Sequence, residues 1–96
     1  MDSRIYLINL YDYYSELLTE KQKQYFEDYY FDNSSLSEIS ENDNISRNAI
    51  HKQLKDTTAK LEYYEEKLKL YEKALKIKNI IKNLDKNIKE KIEELI

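Results

Sequence analysis

The 96-residue chain contains neither glycine nor proline. Glycine enters positive φ without steric cost, and proline pre-sets the first corner of many turns. Two-residue β-hairpins lean on glycine, so a sheet of tight hairpins is improbable here. What such a chain builds readily is helix, broken by short polar turns. Hydrophobic residues make up 41% and charged ones 36%, which is apolar material for a modest core. That suits one small domain, or one domain with an extension.

Cysteine is also absent, which removes disulfides, thiolate nucleophiles and thiolate metal sites. No apolar run approaches the roughly 20 residues of a membrane span, and no secretory h-region opens the chain. The expectation is a soluble, cytoplasmic, nearly all-α protein with no membrane insertion.

The formal charge of −3 hides an asymmetry. Residues 1–45 carry three basic and ten acidic side chains, whereas residues 46–96 carry thirteen basic and nine acidic ones. Such a split either separates a body from a contact surface for an acidic partner or lets the two halves attract each other.

Apolar residues at Ile5, Tyr6, Leu10, Tyr13, Tyr14 and Leu17 recur near helical spacing and predict an amphipathic helix over 3–18. Thr19 followed by Gln22 is a capping box and opens a second helix over about 20–32, with Tyr25, Phe26, Tyr29 and Tyr30 apolar. Ser35 with Glu38 is another, starting a short helix through Leu36 and Ile39. After the polar stretch Glu41–Asn44, Ser46 caps a fourth helix with Ile50 and Leu54 inward. Beyond Ser46, Leu54, Leu61, Leu68 and Leu75 fall seven apart, with Ile50, Thr57, Tyr64 and Tyr71 in step. That two-column seam is what a helix packing along another requires. The step from Leu75 to Ile81 is six, which predicts a kink or break near Lys76–Asn79. The extension then either folds back or pairs with a second copy, and a homodimer through Leu61, Tyr64, Leu68, Tyr71 and Leu75 is the expected outcome.

A short capped helix, a brief turn and a longer capped helix over about 35–55 form the helix-turn-helix plan. Ile39, Ile45, Ile50 and Leu54 supply a shared core, Ser40 is small where the helices approach, and Asn44 is the residue best able to replace glycine at positive φ. Ser46 then leaves Arg47, Asn48, His51, Lys52 and Lys55 on or near the outer face of the second helix. Arginine suits guanine, asparagine adenine and lysine phosphate, so these six residues are the candidate nucleic-acid face. The bland alternative is a solvated helix surface. Tyr6, Tyr13, Tyr14, Tyr25, Tyr29 and Tyr30 could stack single-stranded RNA. Their helical spacing and acidic neighbours favour a core role instead.

Leu17–Gln22, Tyr25–Glu27, Leu36–Glu41, Ser46–Ile50 and Leu61–Leu68 together resemble the YlxM family, over about residues 5–72. These are small bacterial proteins whose helix-turn-helix is similar to region 4 of sigma factors. The resemblance implies an accessory or regulatory role in the signal recognition particle pathway. Double-stranded DNA or signal recognition particle RNA, and the particle's GTPase or its receptor, are the implied partners. The chain departs from the family at Asp43, where an apolar residue is usual. A carboxylate there is expected to stay in water and loosen the turn.

Catalysis finds little support. His51 is the sole histidine, and Ser46 lies five residues from it, about 140° round a helix, too far apart for a nucleophile–base pair. A glycine-rich phosphate loop is impossible, and Glu41, Asp43 and Asp56 read as solvated acids more readily than as metal ligands. No enzyme activity, cofactor or metal is expected. The overall expectation is an all-α, sigma region 4-like helix-turn-helix domain with an N-terminal helix, spanning 1–60, and a helical extension over 61–96. It serves either as a regulatory nucleic-acid binder or as a protein-interaction module with an idle basic face.

Overall fold

A computed structural model describes residues 3–96. They form six α-helices and, among the described residues, no strand. Helix α1 spans Ser3–Tyr14 and ends in a 3₁₀ turn, Ser15–Leu17. Helix α2 spans Glu20–Phe26 and runs on as a π-helical turn, Glu27–Phe31. Helices α3 (Leu36–Asp43), α4 (Arg47–Leu68), α5 (Leu70–Ile81) and α6 (Lys86–Glu93) follow.

The capping residues start these helices as their chemistry demands. The Thr19 hydroxyl accepts from the Gln22 amide N–H at 3.1 Å, and the Gln22 side chain accepts from the Thr19 N–H at 3.0 Å. Ser35 and Glu38 make the same reciprocal pair. Each satisfies two otherwise orphaned donors, a contribution of about 1 kcal/mol per cap. With no glycine available, the left-handed positions fall to Asn33, Asn44 and Lys69, at φ of 56°, 55° and 56°.

Helix α4 is the spine, about 33 Å long at 1.5 Å per residue, with α1, α2, α3 and α5 laid against it. Its first turns join Ile50 and Leu54 to Tyr25 and Ile39, the small core beneath the helix-turn-helix. Further along, Leu61 joins Leu7, Leu10, Tyr11, Tyr14, Leu18 and Phe26 in the main core. Tyr30 packs against both clusters. Phe26 is sandwiched between Tyr11 at 4.5 Å and Tyr30 at 4.4 Å, centroid to centroid. The tyrosines therefore serve the core, with Tyr14 and Tyr25 buried and Tyr6, Tyr13, Tyr29 and Tyr30 half-buried at its margin. The Tyr11 hydroxyl, at that margin, donates to Glu27.

Three expectations are corrected. The inner face of α1 is Leu7, Leu10, Tyr11 and Tyr14, joined by Leu18, while Ile5 and Leu17 point outward. The tightened 3₁₀ turn advances the chain so that Leu18, not Leu17, enters the core. Second, the long helix breaks at Lys69, and α5 runs unbroken through 76–79. Lys69 takes the left-handed conformation that ends α4 and sends α5 back against α1. Third, Asp43 is only partly solvated: the residue is half-buried, and one of its carboxylate oxygens is enclosed, as is the Tyr25 hydroxyl. Its turn is closed, with the Asn44 N–H donating to the Ser40 carbonyl and the Ser40 hydroxyl donating to that of Ile45.

Candidate nucleic-acid interface

The site is assembled at the start of α4. Asn44 turns the chain, and Ser46 caps the helix by accepting from the Ala49 amide at 3.1 Å. From that fixed origin, Arg47, Asn48, His51, Lys52 and Lys55 all project outward and are exposed. At about 100° per residue they occupy an arc of roughly 140°. Ile50 and Leu54, buried on the flank next to Arg47, prevent the helix from rolling. The first turn of α4 carries no acid, so the positive end of its dipole is left uncompensated beside Arg47.

Two hollows adjoin this face. One, about 630 Å³ and open, is lined by Leu36, Ser46, Arg47, Asn48 and His51. The other, about 260 Å³, lies among Tyr29, Tyr30, Leu36, His51, Leu54 and Lys55. Leu36, Tyr29 and Tyr30 were missing from the sequence reading of the site, since only tertiary packing brings them beside His51. Lys52 is engaged by Asp56 at 2.8 Å, and that partner raises its pKa. A phosphate must therefore compete with Asp56 for Lys52, whereas Arg47 and Lys55 carry no such ion pair among the described residues.

Beneath the face, burial foremost and then the neighbouring Asp43 carboxylate push the Tyr25 hydroxyl up in pKa. No three His, Asp or Glu side chains converge as a metal centre requires among the described residues. Among the described residues, no helix is long and apolar enough to cross a membrane.

The second group of candidate residues is divided by the fold. Leu61 is fully buried in the core, and Tyr64 and Tyr71 pack against that core from α4 and α5. Leu68 and Leu75 remain 45% and 49% exposed. Position 60, where the domain and the extension were expected to meet, lies inside α4.

A capped α3, a left-handed turn and a capped α4 with an exposed polar leading face define a helix-turn-helix protein. The family model described as "Putative helix-turn-helix protein, YlxM / p13 like" matches residues 1–96, and the chain belongs to that family, UPF0122. A UPF0122 protein of Fusobacterium nucleatum is 41% identical over 97 residues, covering 100% of this chain and 94% of the relative. One from Halalkalibacterium halodurans is 44% identical over 81 residues, covering 84% of this chain and 74% of its own. A third, from Oceanobacillus iheyensis, is 55% identical over 64 residues, or 67% of this chain and 61% of the relative.

Proposed function

We propose that this chain is a cytoplasmic regulatory protein that binds nucleic acid through Ser46, Arg47, Asn48, His51, Lys52 and Lys55. The observation that carries the reading is the arrangement of those side chains. Arg47, Asn48, His51, Lys52 and Lys55 lie on one exposed arc at the leading end of the second helix of a helix-turn-helix, and the exposed Ser46 caps that helix beside them. That end is where such folds meet the major groove. In this reading Arg47 and Asn48 contact base edges and Lys55 contacts phosphate. The family resemblance adds a place in the signal recognition particle pathway, with its RNA as a second candidate ligand.

Fluorescence anisotropy with mixed-sequence duplex DNA tests this at about 50 and 200 mM salt. Neutralising three or four phosphates weakens binding by a factor of roughly 40 to 150 between those points. Arg47→Ala combined with Lys55→Ala removes binding and leaves the far-UV circular dichroism unchanged. No binding at tens of micromolar protein, to DNA or to the particle's RNA, overturns the proposal.

A second reading is favoured by the half-exposed Leu68 and Leu75 near the α4–α5 break. In it the chain is an interaction module, docking a targeting GTPase or a second copy there. Leu68→Lys then removes association while the Arg47/Lys55 variant has no effect.

A further inference from the structure

The two hollows beside the leading face of α4 share Leu36 and His51, and no carboxylate lines either. In a chain with 19 acids that is selective. The groove among α1, α4 and α5, by contrast, is lined by Glu62, Glu65, Glu66 and Glu72. At about 260 Å³, the hollow that holds Tyr29, Tyr30, His51 and Lys55 falls below the roughly 300–1,000 Å³ of a drug-sized pocket. It has room for one planar ring system.

Its aromatic wall is fixed from outside. Tyr29 and Tyr30 stand on the π-helical turn Glu27–Phe31, a rare geometry that recurs at functional sites. The Asp32 N–H closes the turn by donating to the Glu27 carbonyl at 3.0 Å. From α1, the Arg4 guanidinium donates to the carbonyls of Tyr29 at 3.3 Å and Tyr30 at 2.6 Å. The Tyr30 ring is occupied, stacked on Phe26 at 4.4 Å and with the Arg4 guanidinium 5.2 Å from its centroid. Tyr29 belongs to no stacked pair among the described residues, and its ring meets that of Tyr30 at 79°. It is half-buried, and His51 across the hollow is exposed. The acids of the same stretch, Glu27, Asp28 and Asp32, line a separate hollow with Glu20 and Lys23.

A helix-turn-helix on paired DNA sets its first helix across the phosphate backbone. Here that helix, α3, holds Glu38, Glu41 and Asp43 and no basic residue. Phosphate contact therefore falls to α4, and the neighbouring surface suited to a nucleic acid is aromatic. We propose that the hollow is the subsite for one unpaired nucleobase, stacked on Tyr29 and His51, with Lys55 and Arg47 on the flanking phosphates. Unpaired bases are commonly held by stacking on tyrosine or histidine. The inference rests on the reading of the α4 face as a nucleic-acid interface and narrows its ligand to RNA or DNA with a bulged or looped-out base.

Anisotropy at about 50 mM salt compares a labelled duplex with the same duplex carrying one extra unpaired nucleotide, made both as DNA and as RNA. The unpaired base raises affinity by roughly 5- to 150-fold, the effect of stacking one base on an aromatic side chain. A gain in either polymer supports the subsite, and the larger gain identifies the source. Tyr29→Ala brings the paired and bulged affinities together, whereas Tyr29→Phe keeps them apart, with circular dichroism confirming both folds. A second readout needs no variant. An iodinated uracil at the unpaired position crosslinks under ultraviolet light to Tyr29 or His51 of the wild type, and mass spectrometry of the peptides locates the bond. Equal affinity for paired and bulged forms, a gain that survives Tyr29→Ala, or crosslinks confined to other residues would each overturn the inference and leave the α4 face standing as an interface. No binding of any form removes that interface, and the subsite with it.

Discussion

The Tyr14 hydroxyl donates to Glu65 Oε1 at 2.6 Å and accepts from the Leu70 amide at 3.1 Å. Glu65 also accepts from the amides of Tyr71 at 3.1 Å and Glu72 at 3.0 Å. Lys69, at the head of α5, makes no side-chain cap. The start of α5 is therefore capped by two side chains from other helices, one on α1 and one on α4. A carboxylate buried at a helix N-terminus is stabilised by the amides it accepts from and by the dipole.

Replacing Glu65 with alanine strands the Tyr71 and Glu72 amides and the Tyr14 hydroxyl. The expected loss is about 2–4 kcal/mol, with Glu65→Gln losing roughly half as much. Urea unfolding measures the loss, and hydrogen exchange places it in α5 before the rest of the chain.

Alkaline stability depends on the same pair. Burial, and then the bond to Glu65, raise the Tyr14 pKa from 10.0 to about 12. A group with a raised folded pKa stabilises fully below its unfolded value and loses that contribution as pH rises through the folded one. The protein is thus expected to weaken between about pH 10 and pH 12. Tyr11, raised by burial and by Glu27, adds to the same loss. Circular dichroism across that range shows it, and Tyr14→Phe gives a lower but flatter profile.

Asp28 is half-buried, and its pKa is raised by burial first, then by Asp32, Asp43 and Glu27. Its protonated form favours the fold at acid pH, and that benefit is lost as pH rises through the raised pKa. Asp28→Asn is accordingly expected to raise Tm near pH 7 and to change little near pH 3. An equal effect at both pH values would show that the carboxylate's charge is not the cause.

Lys69 and Asn44 hold similar left-handed angles with different side chains. Asparagine tolerates that region, whereas lysine resists it by about 1 kcal/mol. Lys69→Gly is expected to gain about 0.5–1 kcal/mol, while Asn44→Gly gains little. A β-branched residue at either position lowers Tm, by differential scanning calorimetry.

These positions also explain what could be read before the fold was known. Two capping boxes and Asn44 announce themselves by residue type, because their chemistry is local. So does the candidate interface, which follows from Ser46 and a count around a helix. Lys69 carries no such mark. Its conformation is imposed by Glu65 and Tyr14, the latter 55 residues earlier, and the heptad seam runs through it without interruption. The six-residue step after Leu75 signalled a discontinuity, but the breaks fall on either side of it, at Lys69 and at residues 82–85. The hollows beside His51 were equally hidden, since Tyr29, Tyr30 and Leu36 approach it only through packing of α2 and α3 on α4.

Helix α4 serves both ends of the molecule at once. Ile50 and Leu54 seat the helix-turn-helix, whereas Leu61 and Glu65 serve the main core and the head of α5. Its middle turns are therefore a phase ruler. One residue inserted between Leu54 and Leu61 would rotate the distal half by about 100°. Leu61 would swing away from Leu10 and Tyr14, although no side chain had been removed. Deletions in whole turns come closer to restoring that angle, but they shift the two cores toward each other by about 5.4 Å per turn. Substitutions along this stretch are constrained by side-chain chemistry, and changes in its length by rotation.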